Sequence, residues 1–261
     1  MDLNRILNPK KALLDDQRMA GGIVTDILLE LAEMTKPGVS LELLAELAER
    51  RIEEAGGEPC FKGYQPKWAK TPFPSVVCTS VEFEVCHGIP HNRILKEGEI
   101  ISYDLGVKYK SGCGDACITI PVGEVNNRRQ RAMRYGLEAL YRGIKQVKAG
   151  IPISAIGKAI EDYCIENGYN VIKDFAGHHI GKEVHEKPYI SHYYRKEDDN
   201  VFLKEGAVIC IEPIITPGKV NIMIGEDKWT AYVMDGQPVV QYEMMVLVTA
   251  DGYEILTNWD K

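Results

Sequence analysis

The chain has 261 residues, 45% hydrophobic and 26% charged, with a formal net charge of −7. This is the balance of a soluble globular protein with room for a sizeable core, and it speaks against bulk nucleic-acid binding. No apolar run approaches the roughly 18 to 20 residues of a membrane helix, and Met1 to Lys11 lacks the apolar core and small-residue cleavage site of a signal peptide.

Leu13 to Met34 has apolar residues at helical spacing, and Ser40 is placed as the N-cap of a second helix running to Glu54. Val76 to Val85 reads as one strand, and Ile100 to Val122 as strand structure broken by the turn Lys110-Ser111-Gly112. Arg129 to Val147 and Ser154 to Asn167 predict a second helix pair. The basic cluster Arg128, Arg129, Arg131 and Arg134 at its start reads as a solvated helix face. Gly177-His178-His179-Ile180-Gly181 reads as a glycine-flanked loop. Strands are expected over Ala207 to Ile214, Trp229 to Val233 and Val239 to Thr249. Seven cysteines, at 60, 78, 86, 113, 117, 164 and 210, contain no C-x-x-C and read as reduced thiols of a cytoplasmic protein, mostly filling core.

The chain repeats itself once. Leu95-Lys96-Glu97-Gly98 recurs as Leu203-Lys204-Glu205-Gly206, an offset of 108, and each copy leads into an apolar run ending in an acid, Asp104 and Glu212, again 108 apart. His87-Gly88-Ile89-Pro90 has a counterpart in His185-Glu186-Lys187-Pro188, and Lys36-Pro37-Gly38 has one in Lys148-Ala149-Gly150. Each half is two helices followed by strands. The expected architecture is α+β, a single domain over 1–261 with pseudo-repeats at about 12–125 and 126–257. A mainly antiparallel, curved sheet carries helices on one side, with pseudo-twofold symmetry.

Acidic residues inside apolar strands are informative, because a buried carboxylate costs several kcal/mol unless paired or bound to metal. Asp104, Asp115, Glu212 and Glu243 all sit in such runs with no lysine or arginine interleaved. Asp104 and Asp115 can meet across a hairpin, and the duplication brings Glu212 and Glu243 to the matching places. Such a cluster repels itself unless divalent cations neutralise it, and two bridged ions meet that demand. His178 adds a candidate nitrogen ligand, favouring manganese, iron, cobalt or zinc over magnesium. The chain holds no Walker loop, no H-E-x-x-H and no G-x-S-x-G.

Val85-Cys86-His87-Gly88-Ile89-Pro90, Asp104 and Asp115 eleven apart, Gly177-His178-x-Ile180-Gly181 with His185-Glu186-x-Pro188, Ile211-Glu212-Pro213, and Gln241-Tyr242-Glu243 together resemble the type I methionine aminopeptidases, from the first helix to Glu254-Ile255-Leu256-Thr257. The resemblance implies the pita-bread fold and metal-dependent removal of N-terminal methionine from nascent or newly made polypeptides, with a preference for a small second residue. It implies that Asp104 chelates one of two divalent ions, His178 and Glu212 the other, with Asp115 and Glu243 bridging; a water between them becomes a hydroxide that attacks the first peptide bond. Glu212 is then the proton shuttle, His87 holds the substrate near the scissile amide, and His185 stabilises the oxyanion. Matching positions put Tyr64, Cys78 and Trp229 in the methionine pocket, with Phe61 beside them. A cytoplasmic monomer, transiently touching the ribosome, is expected.

The chain departs from that pattern at Gly106 and Ala116, where threonine is usual, at His179 in place of glycine, at Met244 after Glu243, and in a longer segment Gln65 to Phe73. Asp104-Leu105-Gly106 is also similar to the D-x-G of proline-directed aminopeptidases and dipeptidases of the same fold, which lack C-H-G-I-P. A non-catalytic binding module is the other alternative, opposed by the complete ligand set.

Overall fold

Two helices precede the first sheet, α1 (Pro9–Met34) and α2 (Leu41–Glu54). Ser40 has extended backbone and its hydroxyl accepts the Leu43 amide at 3.2 Å, so it is the N-cap its sequence position suggested. Leu41, Leu44, Leu47, Ala48 and Ile52 recur at helical spacing and are all buried, in one cluster with Leu28 and Leu31 of α1. These features come from a computed structural model that describes residues 9–260. The first eight residues, part of the segment read as lacking a leader pattern, and Lys261 lie outside it.

The sheet beneath this helix pair is built on a hairpin of β4 (Ile100–Tyr109) and β5 (Gly112–Pro121), turned through Lys110 at φ 53. The short β1 (Glu58–Pro59) and β2 (Val77–Val81) also pair with β4, both antiparallel. Ile101, Tyr103, Leu105 and Val107 of β4 join the helix-side core. The alternate positions, Asp104 among them, therefore point to the opposite face of the sheet.

The second half repeats this logic. α3 (Asn127–Ile144), capped by Asn126, and α4 (Ser154–Glu166) cover a five-stranded sheet ordered β15-β14-β9-β7-β8. Its strands are β7 (Gly177–His179), β8 (Glu186–Ile190), β9 (Val208–Ile211), β14 (Met244–Val248) and β15 (Tyr253–Ile255). Ile209, Ile211, Met244, Val246 and Val248 pack with the helices, whereas Val208, Cys210, Met245 and Leu247 face the other way. Glu243 and Cys117 form an antiparallel bridge between the halves, with the Glu243 amide donating to the Cys117 carbonyl at 2.8 Å. Two small sheets complete the fold, one of β6 (Asn170–Val171), β10 (Ile214–Thr216) and β13 (Val240–Gln241), the other of β3 (Glu84–Cys86), β11 (Ile222–Ile224) and β12 (Ala231–Val233). Among the described residues no helix is long and apolar enough to cross a membrane.

Several expected strands prove to be broken. Val76–Val85 splits into β2 and β3 at Glu82, whose φ of 63 reverses the chain. Ala207–Ile214 splits at Glu212-Pro213, where proline has no N–H to continue a ladder, and Val239–Thr249 splits at Tyr242-Glu243, where pairing passes from β10 to β9. The glycine-flanked segment 177–181, read as a loop, contributes β7, because Gly177 must lie against the Cys210 carbonyl, where a Cβ would come within 2.3 Å. Arg129 is not merely solvated: its guanidinium grips both oxygens of Glu82, tying α3 to the β2–β3 turn, while Arg128, Arg131 and Arg134 stay exposed.

Candidate metal centre

Directly opposed residues of an antiparallel pair share a face. Asp104 lies opposite Cys117 of β5 and Cys78 of β2, and Asp115 lies opposite Gly106, two residues along β4 on that same face. From the other half, His178 of β7 lies opposite Cys210 of β9, Glu212 follows β9 directly, and Glu243 is held by its bridge to Cys117. Strand register for Asp104, Asp115 and His178, the chain position of Glu212 just past β9 and the Glu243 bridge together converge the five residues. Donor atoms of Asp115, His178, Cys210 and Glu243 lie within 4.8 Å of one another, all buried. His178 Nε2 is 3.7 Å from Asp115 Oδ2 and 3.5 Å from Glu212 Oε1. Gln241 Nε2 donates to Glu212 Oε2 at 3.3 Å.

Asp104 Oδ1, Asp115 Oδ1 and Glu243 Oε1 are buried without a hydrogen-bond partner. Orphaned carboxylate oxygens are costly and rare, and three in one cluster mark places for cations. Burial pushes the Asp104 carboxyl up to about 7. Burial and then mutual repulsion hold those of Asp115, Glu212 and Glu243 well above the usual carboxylate range. Burial lowers His178 to about 3, so its imidazole is neutral and free to ligate. The donor set fits divalent ions. Cys210, read in the sequence only as core, belongs to the cluster by position. Burial and three neighbouring carboxylates push its thiol well above the usual range, which favours the protonated form.

The cluster forms the floor of a cavity of about 990 Å³ whose walls include His87, His185, Phe61, Tyr64, Cys78 and Trp229. His185 meets His178 edge-on at 4.6 Å between ring centroids and is backed by Tyr64 at 5.1 Å. His87 takes φ 56, an uncommon conformation for a residue with a side chain. The next residue, Gly88, passes so close to β2 that a Cβ would sit 2.1 Å from the Thr79 carbonyl oxygen. This packing aims the His87 ring at Trp229 and Phe175, at 6.1 and 5.4 Å. Burial lowers both His87 and His185 to about 4, leaving each neutral at physiological pH.

Gly106, Ala116 and Met244 do not line the cavity. A Cβ at Gly106 would strike the Phe61 ring at 2.8 Å, so the missing threonine makes room for Phe61, while Ala116 and Met244 face the helices. His179 is half-buried and its Nδ1 lies 3.2 Å from Glu186 Oε2. Sequence reasoning missed His192, which is buried and whose Nε2 accepts the Glu212 amide at 3.1 Å. Burial lowers it to about 3. No motif surrounds it, so nothing in the sequence marked it. It also missed Trp68 and Phe175 on the cavity wall.

The profile of metallopeptidase family M24 matches residues 15–250. The chain is 36% identical over 241 residues to methionine aminopeptidase 1 of Bacillus subtilis, covering 92% of this chain and 94% of that one. It is also 36% identical over 245 residues to methionine aminopeptidase B of Synechocystis, with 94% and 89% covered. The crystal structure of methionine aminopeptidase from Thermotoga maritima superposes with a TM-score of 0.89 at 33% identity, covering 94% of this chain and 96% of that one. An Xaa-Pro dipeptidase from Bacillus anthracis shares the fold at 22% identity and a TM-score of 0.74. The chain belongs to metallopeptidase family M24 and, within it, to the methionine aminopeptidases. Its fold is therefore the α+β pita-bread fold, and its chemistry that of a metal-dependent aminopeptidase.

Proposed function

We propose that this chain removes the N-terminal methionine from nascent or newly made polypeptides whose second residue is small. The observation that carries the reading is the set of three orphaned buried carboxylate oxygens at the floor of an aromatic-walled cavity. Asp104, Asp115, His178, Glu212 and Glu243 would hold two divalent ions. Mixed nitrogen and oxygen donors favour manganese, iron, cobalt or zinc over magnesium. Such ions, when bound, lower the pKa of water toward neutrality and polarise a carbonyl.

The protein's own groups do the rest. Glu212 has one oxygen held by Gln241 and its amide held by His192, so its carboxylate is fixed at the floor to take up and return a proton. His185, neutral and backed by Tyr64, donates an N–H to the developing oxyanion. His87, fixed by its backbone and by Trp229, orients the scissile amide. Tyr64, Cys78 and Trp229, with Phe61, enclose an apolar, sulfur-tolerant pocket suited to an unbranched thioether. The enzyme works as one domain, with pseudo-repeats at about 12–125 and 126–257, as a cytoplasmic monomer in transient contact with the ribosome.

A tripeptide panel tests the specificity. Met-Ala-Ser and Met-Gly-Ser are expected to exceed Met-Leu-Ser in kcat/KM by at least about 100-fold, the loss that misplacing a reacting group brings. Faster cleavage of Leu-first or Xaa-Pro peptides would displace the methionine assignment. His185→Ala is expected to lower kcat by about 10² or more, as loss of an oxyanion donor does, with metal content unchanged. A parallel loss of metal would instead make His185 a ligand.

A further inference from the structure

The cavity that holds the cluster is open on one side, and its rim carries charge of the opposite sign. Three lysines line it, Lys67, Lys70 and Lys228, all exposed. Among the described residues none of the three makes an ion pair. Of the five carboxylates lining the same cavity, four belong to the cluster whose charge bound ions offset, leaving only Asp174 to face three lysines. In a chain of net charge −7, the positive character is concentrated in residues 65–73, which carry Lys67 and Lys70 and no acidic residue, whereas Lys228 follows Glu226 and Asp227 in its own turn.

Two of these lysines sit on the longer segment of residues 65–73, which is a shaped element. The Gly63 amide donates to the Phe73 carbonyl at 2.8 Å and the Phe73 amide to the Tyr64 carbonyl at 2.9 Å, closing the loop at its base. The Ala69 amide donates to Pro66 at 2.9 Å and the Gln65 side chain to the Ala69 carbonyl at 3.3 Å, folding its tip. That tip presents Trp68, 62% exposed, stacked on His87 with ring centroids 6.3 Å apart and edge-on to Trp229 at 5.1 Å. Lys228 precedes Trp229 in the turn between β11 and β12, so the second rim element is anchored to the same aromatic cluster.

An aminopeptidase seats only the first residue of its substrate in the pocket, and the rest must leave across the rim. We infer that the 65–73 loop and the Lys228 turn bind the substrate residues that follow the scissile bond, with Trp68 packing on that segment and Lys67 and Lys70 favouring acidic over basic side chains in it. This rests on the proposed aminopeptidase activity and adds a preference downstream of the bond cut.

The test compares Met-Ala-Ser-Asp-Asp with Met-Ala-Ser-Lys-Lys, using the metal-loaded enzyme at low and high ionic strength, with Met-Ala-Ser as reference. The acidic peptide is expected to have a kcat/KM about fivefold to tenfold higher at low salt, a margin that shrinks as salt screens the rim. The double substitution Lys67→Glu, Lys70→Glu is expected to reverse the order. Trp68→Ala is expected to raise KM for both pentapeptides more than for Met-Ala-Ser, and Trp68→Phe to restore most of it. Equal rates for the two pentapeptides, a faster basic peptide, or a margin indifferent to salt would overturn the inference while cleavage of Met-Ala-Ser leaves the aminopeptidase reading standing. Failure to cleave Met-Ala-Ser at all would overturn that reading and this inference with it.

Discussion

Glu243→Ala is expected to lose bound divalent metal and to lower kcat/KM by more than the roughly 100-fold that loss of an outer hydrogen-bond partner of a metal site costs. Glu243 is held between the two halves of the fold by its backbone bridge to Cys117. Its carboxylate is buried beside Asp115 and His178, with Oε1 lacking any partner. The side chain therefore has no hydrogen bond to lose, and the bridge, made by backbone atoms, survives its removal. The fold should persist, as judged by circular dichroism and urea unfolding, while metal analysis and peptide cleavage both collapse. Glu243→Gln sharpens the test, because it keeps the shape, removes the charge and should lose metal nearly as completely. Normal metal content with activity intact in either variant would remove Glu243 from the centre.

The helices, the β4–β5 hairpin and the fold class were legible in the sequence because each rests on a local pattern: Leu41 to Ile52 at helical spacing behind a serine cap, and Ile101, Tyr103 and Leu105 alternating with Asp104. The convergence of Asp104, Asp115, Glu212 and Glu243 was legible for a different reason. A carboxylate in an apolar strand is a costly choice, and four of them mark a common purpose. What stayed hidden depends on tertiary contact. Proline at 213 and the left-handed Glu82 break strands whose apolar runs look continuous. His178 sits in a strand because Gly177 nestles against Cys210, which no local motif encodes. His192 is indistinguishable in sequence from a surface histidine, yet it fixes the Glu212 amide from twenty residues away. Gly106 reads as a departure near the metal site, and only the packing of Phe61 shows that it vacates room for an aromatic wall.

Stripped of divalent metal, the chain is expected to lose stability as pH rises from about 6.5 to about 8, whereas the metal-loaded chain holds its stability over that range. Four buried carboxylates have folded pKa values raised above their unfolded ones: Asp104 to about 7 by burial, and Asp115, Glu212 and Glu243 well above their usual range by burial and mutual repulsion. Each keeps its proton in the folded state after the unfolded chain has released it. Its contribution is complete below about 4 and is lost as pH climbs through the folded value. The buried histidines act in the opposite sense. His178 and His192 fall to about 3 and His87 and His185 to about 4, so below about 6.5 the unfolded chain binds protons that the folded chain refuses, and stability falls with falling pH. The two groups oppose each other between about 4 and 6.5. Above that range the histidines are neutral in both states, and the carboxylates act alone until the buried thiols of Cys78, Cys117 and Cys210, also raised by burial, begin to add the same sign above about 8.5. Within the window, each proton held only by the folded chain gives a slope of about 1.4 kcal/mol per pH unit. Bound cations take the place of those protons and abolish the slope. Urea midpoints measured across this range with and without chelator decide the matter: a flat or rising profile for the metal-free chain would mean that the four carboxylates do not share one buried, self-repelling site.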